Sequence, residues 1–350
     1  MAHNEYDAKA LLALPSIKEG VAEETGLTSW SRPYLIAQIR KNGVDVNVVR
    51  GAVSLDGDEG WARDAIRPSY DLEGSVTLLQ LGDVSLAEYG VVRTIVRAVD
   101  VREVPVLNPN SVRTLARNKF EMASEILIPS DAYGRQIAFF DPLAPKVNVN
   151  DAFRSIVGDQ FVAKPNSGRL SRGVLVGSKK KVAGQLKKVS VPYIIEERLD
   201  FSAPLPDIRG LGEAEQARLD EANKLGVNKE LRTFYFGNGV WDGAGRISRP
   251  GEVDFHDDKW LQIELDSIPS ELIDMGNAIV EKIRQRIGTD EINIAIDWVF
   301  ASSASEPTPS WRVMELNGAE PQLVQVKQHE EVGKRQHSKL AIQISRIALN

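Results

Sequence analysis

Apolar runs of four to seven residues, separated by turn formers, alternate along the chain with stretches of helical period. The runs at 294–300 (Ile-Ala-Ile-Asp-Trp-Val-Phe) and 311–317 (Trp-Arg-Val-Met-Glu-Leu-Asn) are rich in β-branched and aromatic residues and predict strands. Further strands are expected at 161–165, at 174–177 and from 193 onward. A hairpin with Gly237-Asn238-Gly239 at its tip is expected over 230–240. Nearer the N-terminus, strands at 9–14, 44–49, 76–81 and 104–107 alternate with helices at 29–41 and 85–99. The first of these helices has Ser29 or Ser31 as its N-cap and Pro33 in its first turn. Such alternation predicts a parallel sheet with crossover helices. Helices are also expected at 270–287 and 326–349. The pattern divides into three lobes: an α/β lobe at 1–112, an α+β lobe at 113–198 and a second α+β lobe at 199–350.

The chemistry sits inside these runs. Asp297 lies in the middle of an apolar strand, where a carboxylate is costly unless a cation or donor meets it. Residues two apart on a strand share a face, so Glu315 and Asn317 point the same way. Two carboxylates and an amide oxygen suit Mg²⁺, which shares its remaining positions with phosphate oxygens and water. Two strand carboxylates paired with arginines of the same chain is an equally good reading of this triplet alone. Lys164 ends a strand in Lys-Pro, where its ammonium is a point charge for a phosphate. The loop after it contains Ser167, Gly168, Arg169, Ser171, Arg172 and Gly173, and can turn backbone N–H groups and guanidinium donors toward phosphate oxygens. Glu196 and Glu197 close an apolar strand, Arg232 sits in the 230–240 hairpin and Arg246 follows it.

The order of these motifs resembles the ATP-grasp superfamily, and within it the ribosomal-protein glutamate ligase and glutathione synthetase branch. The likeness runs from about residue 9 to residue 325. It implies an ATP-grasp fold in which an N-terminal parallel-sheet lobe precedes two α+β lobes enclosing ATP. Lys119 and Lys164 match its phosphate lysines, and Ser167, Gly168, Ser171 and Gly173 match its phosphate-covering loop. Glu196, Glu197, Arg198 and Leu199 match its adenine hinge, which acts largely through backbone groups. Arg232 and Arg246 match its catalytic arginines, and Asp297, Glu315 and Asn317 its metal ligands. The resemblance implies ATP and two Mg²⁺ ions, with Mn²⁺ as a substitute. It implies a carboxylate–amine ligase that passes through an acyl phosphate, with a small-molecule or peptide carboxylate and an amine as partners. A phosphotransferase on the same frame, and a nucleotide-binding regulator without turnover, are the alternatives. A homo-oligomer is left open. The chain departs from the pattern at Asn118 and Glu230, where Asp is usual. It also has a long link at 301–310 and an extra segment at 201–229, rich in charge and expected to lie outside the core.

Composition narrows the classes. With 42% hydrophobic residues and a formal net charge of −6, the chain can build substantial cores and has no basic excess to suggest nucleic acid as its main partner. Zero cysteines exclude disulfides, thiolate catalysis and cysteine metal sites. The N-terminus is polar and acidic, unlike a signal peptide, and no apolar stretch has the length of a bilayer crossing, so the cytoplasm is the expected compartment. Lys179-Lys180-Lys181 reads as a solvated helix face, and residues 213–224 as a charged surface helix. His329 and His337 read as surface residues. Trp241 and His256 read as packing residues, with a substrate role left open by their nearness to the arginine hairpin. Neither a Walker A sequence nor a G-x-G-x-x-G after a strand is present.

Overall fold

The computed structural model describes residues 8–15, 31–51, 76–79, 106–107, 110–144, 148–167, 173–206, 208–237, 239–248, 255–290, 292–317 and 330–349. In chain order the first strands and helices are β1 (Ala8–Pro15), α1 (Ser31–Lys41), β2 (Val44–Gly51), β3 (Val76–Leu79), β4 (Val106–Leu107) and α2 (Asn110–Arg117). The four strands form a parallel sheet in the order β2-β1-β3-β4. The helix expected at 85–99 lies outside the described residues.

The second sheet is antiparallel, in the order β5-β8-β6-β7, from β5 (Ile137–Phe140), β6 (Gln160–Pro165), β7 (Leu175–Ser178) and β8 (Tyr193–Glu197). Between β7 and β8 runs α3 (Lys179–Leu186), whose Val182, Ala183 and Leu186 pack on Phe161, Ala163 and Ile195. Lys179, Lys180 and Lys181 are exposed, as expected of a solvated face.

The third sheet is antiparallel and five-stranded, in the order β11-β10-β9-β12-β13. Its strands are β9 (Lys229–Phe236), β10 (Gly239–Ser248), β11 (Phe255–Ile263), β12 (Asn293–Ala301) and β13 (Ser310–Asn317). Three helices accompany it: α4 (Glu213–Leu225), α5 (Ser270–Ile287) and α6 (Glu330–Leu349). Period-2 alternation divides β9 and β12 between two environments. Leu231 and Tyr235 of β9, with Ile294, Ile296 and Trp298 of β12, share one core cluster with Ile279, Val280 and Ile283 of α5. Contact there is close: a Cβ on Gly276 of α5 would collide with the Tyr235 hydroxyl. On the other face, Phe234 and Ala295 join a second core with Leu35 and Ile39 of α1 and Leu340 and Ile344 of α6.

Two expectations are corrected. The 201–229 segment does not stand outside the core: Leu205, Ile208, Leu219, Ala222 and Val227 are all buried in the main cluster. Leu219 and Ala222 lie three apart on α4, on one face of the helix, and that short apolar stripe is hard to see among its charges. His337 is not a surface residue; it is 3% exposed on the inner face of α6, with Nδ1 2.7 Å from the Gly333 carbonyl. Burial lowers its pKa. His329 lies outside the described residues. Trp241 is a packing residue, buried against Phe234 with ring centroids 5.5 Å apart.

Candidate functional site

Along β9, β10, β12 and β13 the face that packs on α1 and α6 turns from apolar to charged. Strand register puts Asp297 opposite Arg232 of β9 on one side and opposite Glu315 of β13 on the other. Ala295 opposite Asn317 puts the amide on the same face, and Arg246 of β10 faces Glu230 of β9. Six side chains separated in sequence by up to 87 positions therefore meet on one sheet surface.

Both acids of the expected metal triplet are paired with cations of the chain. Asp297 takes both arms of the Arg232 guanidinium, with Nη2 to Oδ2 at 2.7 Å. It also lies 3.7 Å from Arg246 Nη2 and accepts from Asn317 Nδ2 at 3.0 Å. Glu230 is bound by Arg246. Burial, then the neighbouring Asp297 charge, push its carboxyl up to about 7 against the pull of Arg246 and Arg232. Glu315 is half-exposed and bound to Lys119 Nζ at 2.6 Å. Enclosure by protein would raise its pKa, but the Lys119 ammonium outweighs that and holds it at about 2.

The second sheet supplies the other side. Lys164, at the end of β6, contacts Glu196 of β8 at 3.0 Å. Glu196 is 4% exposed and also accepts from Tyr133 Oη at 2.6 Å and Arg135 Nε at 3.2 Å. Burial favours the neutral acid, yet Arg135 and Lys164 prevail and hold Glu196 at about 2. Burial also lowers the pKa of Lys164, against the pull of Glu196. Lys119 is fixed from below by Asn166, the residue after Lys164-Pro165. Its carbonyl accepts from Lys119 N at 3.0 Å, and its side chain accepts from Phe120 N at 2.8 Å. Asn118 caps this turn and accepts from Asn166 Nδ2 at 3.0 Å. The Asn in place of the usual Asp thus has an amide partner.

The expected hinge residues divide. Glu196 meets Lys164, while Glu197 is 1% exposed and takes two hydrogen bonds from Ser305, through its N–H at 2.6 Å and its hydroxyl at 2.5 Å. Arg198 is exposed, and Leu199 packs with Val299 and Ala301. The long link between β12 and β13 thus reaches back over the hinge strand, where Asp200 and Ser302 exchange backbone hydrogen bonds at 2.8 and 3.0 Å. In the covering loop, Ser167 is exposed and the Gly173 carbonyl accepts from Tyr193 Oη at 3.0 Å; Gly168 and Ser171 lie outside the described residues. Sequence reasoning misses Tyr133 and Arg135, while Asn166 opens the loop that follows Lys164-Pro165. The only trace was a polar Tyr-Gly-Arg before an apolar strand, which has no period or motif to mark it.

Among the described residues, Lys119, Lys164, Arg135, Arg232 and Arg246 mingle with Glu196, Glu230, Asp297 and Glu315. The cations exceed the carboxylates by one, so the charges nearly balance. No cluster of three or more His, Cys, Asp or Glu side chains is set to hold a metal among those residues. The donor set is two carboxylates and an amide, which fits Mg²⁺ held jointly with phosphate oxygens rather than in an all-protein cage.

No family model matches the chain, and neither does any curated protein. Solved structures do match over nearly its whole length. D-cycloserine synthetase DcsG superposes with a TM-score of 0.60 at 13% identity, covering 95% of this chain and 99% of that one. D-alanine–D-alanine ligase from Bacillus anthracis, complexed with ATP, gives 0.59 at 16% identity, covering 98% and 97%. A RimK domain protein ATP-grasp from Sphaerobacter thermophilus DSM 20745 gives 0.55 at 14%, covering 97% and 99%. The chain has the ATP-grasp fold. These likenesses do not separate one branch of that fold from another.

Proposed function

We propose that the protein is an ATP-dependent carboxylate–amine ligase acting through an acyl phosphate. The observation that carries this reading is the convergence of Lys119 and Lys164 with Glu315, Asp297, Arg232 and Arg246 between the second and third sheets. Solved structures of similar fold include ligases and a synthetase, one of them complexed with ATP. The chain would divide into lobes at residues 1–112, 113–198 and 199–350.

In this reading Lys119 and Lys164 hold the phosphates, and backbone groups of Glu196 to Leu199 hold the base. Asp297, Glu315 and Asn317 would hold Mg²⁺, which when bound neutralises charge that builds as the phosphoryl group moves. Arg232 and Arg246 would orient the substrate carboxylate. Fixed donors of this kind are worth ~3 kcal/mol in a transition state. The carboxylate attacks the γ-phosphorus and releases ADP; an amine then displaces phosphate and gives the amide. The segment at 167–173 would cover the acyl phosphate from water.

The test is incubation with Mg-ATP and pools of amino acids and peptides, following phosphate release and seeking condensation products by mass spectrometry. Amide products that vanish in Asp297→Asn and Glu315→Gln, with both variants folded, support the reading. A stable phosphorylated product without an amide would show a phosphotransferase instead.

A further inference from the structure

The Arg135 guanidinium lies between the second and third sheets, with a side chain 1% exposed. Its Nε donates to Glu196 on β8, its Nη1 to the Val313 carbonyl at 2.8 Å and its Nη2 to the Met314 carbonyl at 3.2 Å. The group lies 3.7 Å from the centroid of the Tyr133 ring. Each contact bears on a different part of the cleft. Glu196 is the carboxylate that meets Lys164. Val313 and Met314 bracket a register shift: Asp297 pairs with Glu315 and Trp298 with Val313, leaving Met314 as the extra residue of a β-bulge. Bulges re-aim neighbouring side chains, and the next residue is Glu315.

The residues around Arg135 serve the same attachment. Ala132 accepts from Val313 N at 2.8 Å, so this loop closes the open edge of β13. Gly134 has φ +59, and a Cβ there would run into the Arg312 guanidinium, so only glycine lets the loop lie so close. Tyr133 adds its hydroxyl to the second oxygen of Glu196.

We propose that Arg135 is a positioning residue that sets the distance between the two sides of the nucleotide cleft. Through Glu196 it holds the Lys164 ammonium, and through the Val313 and Met314 carbonyls it holds the bulge that aims Glu315. The role rests on the nucleotide reading given above. It requires a planar fork whose separate nitrogens reach acceptors on different strands, a span that the compact ammonium of lysine does not cover.

A double-mutant cycle on nucleotide affinity tests it, using calorimetric titration of the full chain with Mg-ADP. Arg135→Lys keeps the charge and loses the fork. It is expected to weaken binding roughly tenfold. In a Lys164→Ala background the same substitution is expected to weaken affinity by clearly less than it does in the wild type, roughly threefold, because only the route through the bulge and Glu315 is left. A purely structural role would lower the melting temperature and leave affinity unchanged, or would give losses that multiply in the double variant; either result overturns the proposal. If Arg135→Lys does not fold, Tyr133→Phe removes only the hydroxyl bound to Glu196. It should weaken binding in the same direction and lose that effect when Lys164 is absent. A wild-type chain that binds no Mg-ADP refutes the nucleotide reading itself, and this inference with it. Binding by the wild type with independent losses refutes the inference alone.

Discussion

Lys164 and Lys180 belong to the same part of the chain and differ in what surrounds them. Lys164 is largely enclosed and 3.0 Å from a buried carboxylate, whereas Lys180 is exposed on α3. Lys164→Ala should therefore weaken a non-hydrolysable ATP analogue by roughly 10–100-fold, and Lys180→Ala by less than about twofold. Calorimetric titration of both variants measures the difference, and equal losses would mean that the cleft is wrongly placed. Glu196 gives a pH signature at the same scale. Its carboxyl is held at about 2 in the folded protein against an ordinary 4.5. A depressed folded pKa stabilises the native state above the unfolded value, and the gain is lost as pH falls through the folded one. The window is therefore pH 4.5 down to 2. Denaturant unfolding of the wild type should lose stability faster across that window than Glu196→Gln, by an amount on the order of a few kcal/mol. Parallel curves for the two proteins would remove Glu196 from the acid response.

At the scale of elements, α4 and the link between β12 and β13 carry what distinguishes this chain. α4 belongs to the core through Leu219 and Ala222, while Glu221 on its outer side is exposed. Leu219→Ala is expected to cost ~2–4 kcal/mol in chemical denaturation, and Glu221→Ala less than ~0.5 kcal/mol. Similar small effects at both positions would return α4 to the surface. The strands were legible for a local reason: alternation in β9 and β12 sends Leu231, Ile294 and Ile296 one way and Arg232 and Asp297 the other. The attachment of the link to the hinge was not legible. Ser305 meets Glu197 across 108 positions, and no period connects them.

At the scale of the molecule, α6 ties the first sheet to the third. Its Leu340 and Ile344 share a core with Leu35 and Ile39, and its Arg335 and Lys339 each lie 3.1 Å from Asp242 on β10. Asp242 is fully buried and burial raises its pKa, whereas the two cations keep some contact with water. Asp242→Ala should destabilise the protein by roughly 2–3 kcal/mol, below the full cost of an orphaned buried charge because both partners can rehydrate. Removing the exposed Glu264, which also binds Arg335, should cost less than ~0.5 kcal/mol by the same denaturant measurement. Equal losses would show that α6 is held by its apolar face alone. The sequence by itself determined which residues are charged inside apolar strands, which share a face, and in what order the lysines, arginines and acids follow one another. Those properties depend on residue type and on the two-residue period of a strand, both local. Only the tertiary structure decided that Asp297 and Glu315 are met by Arg232 and Lys119, that Arg135 spans 178 positions to reach Val313, and that His337 and Leu219 are inside. Those outcomes depend on which surfaces three sheets and a terminal helix bring together, and distance along the chain carries no record of that.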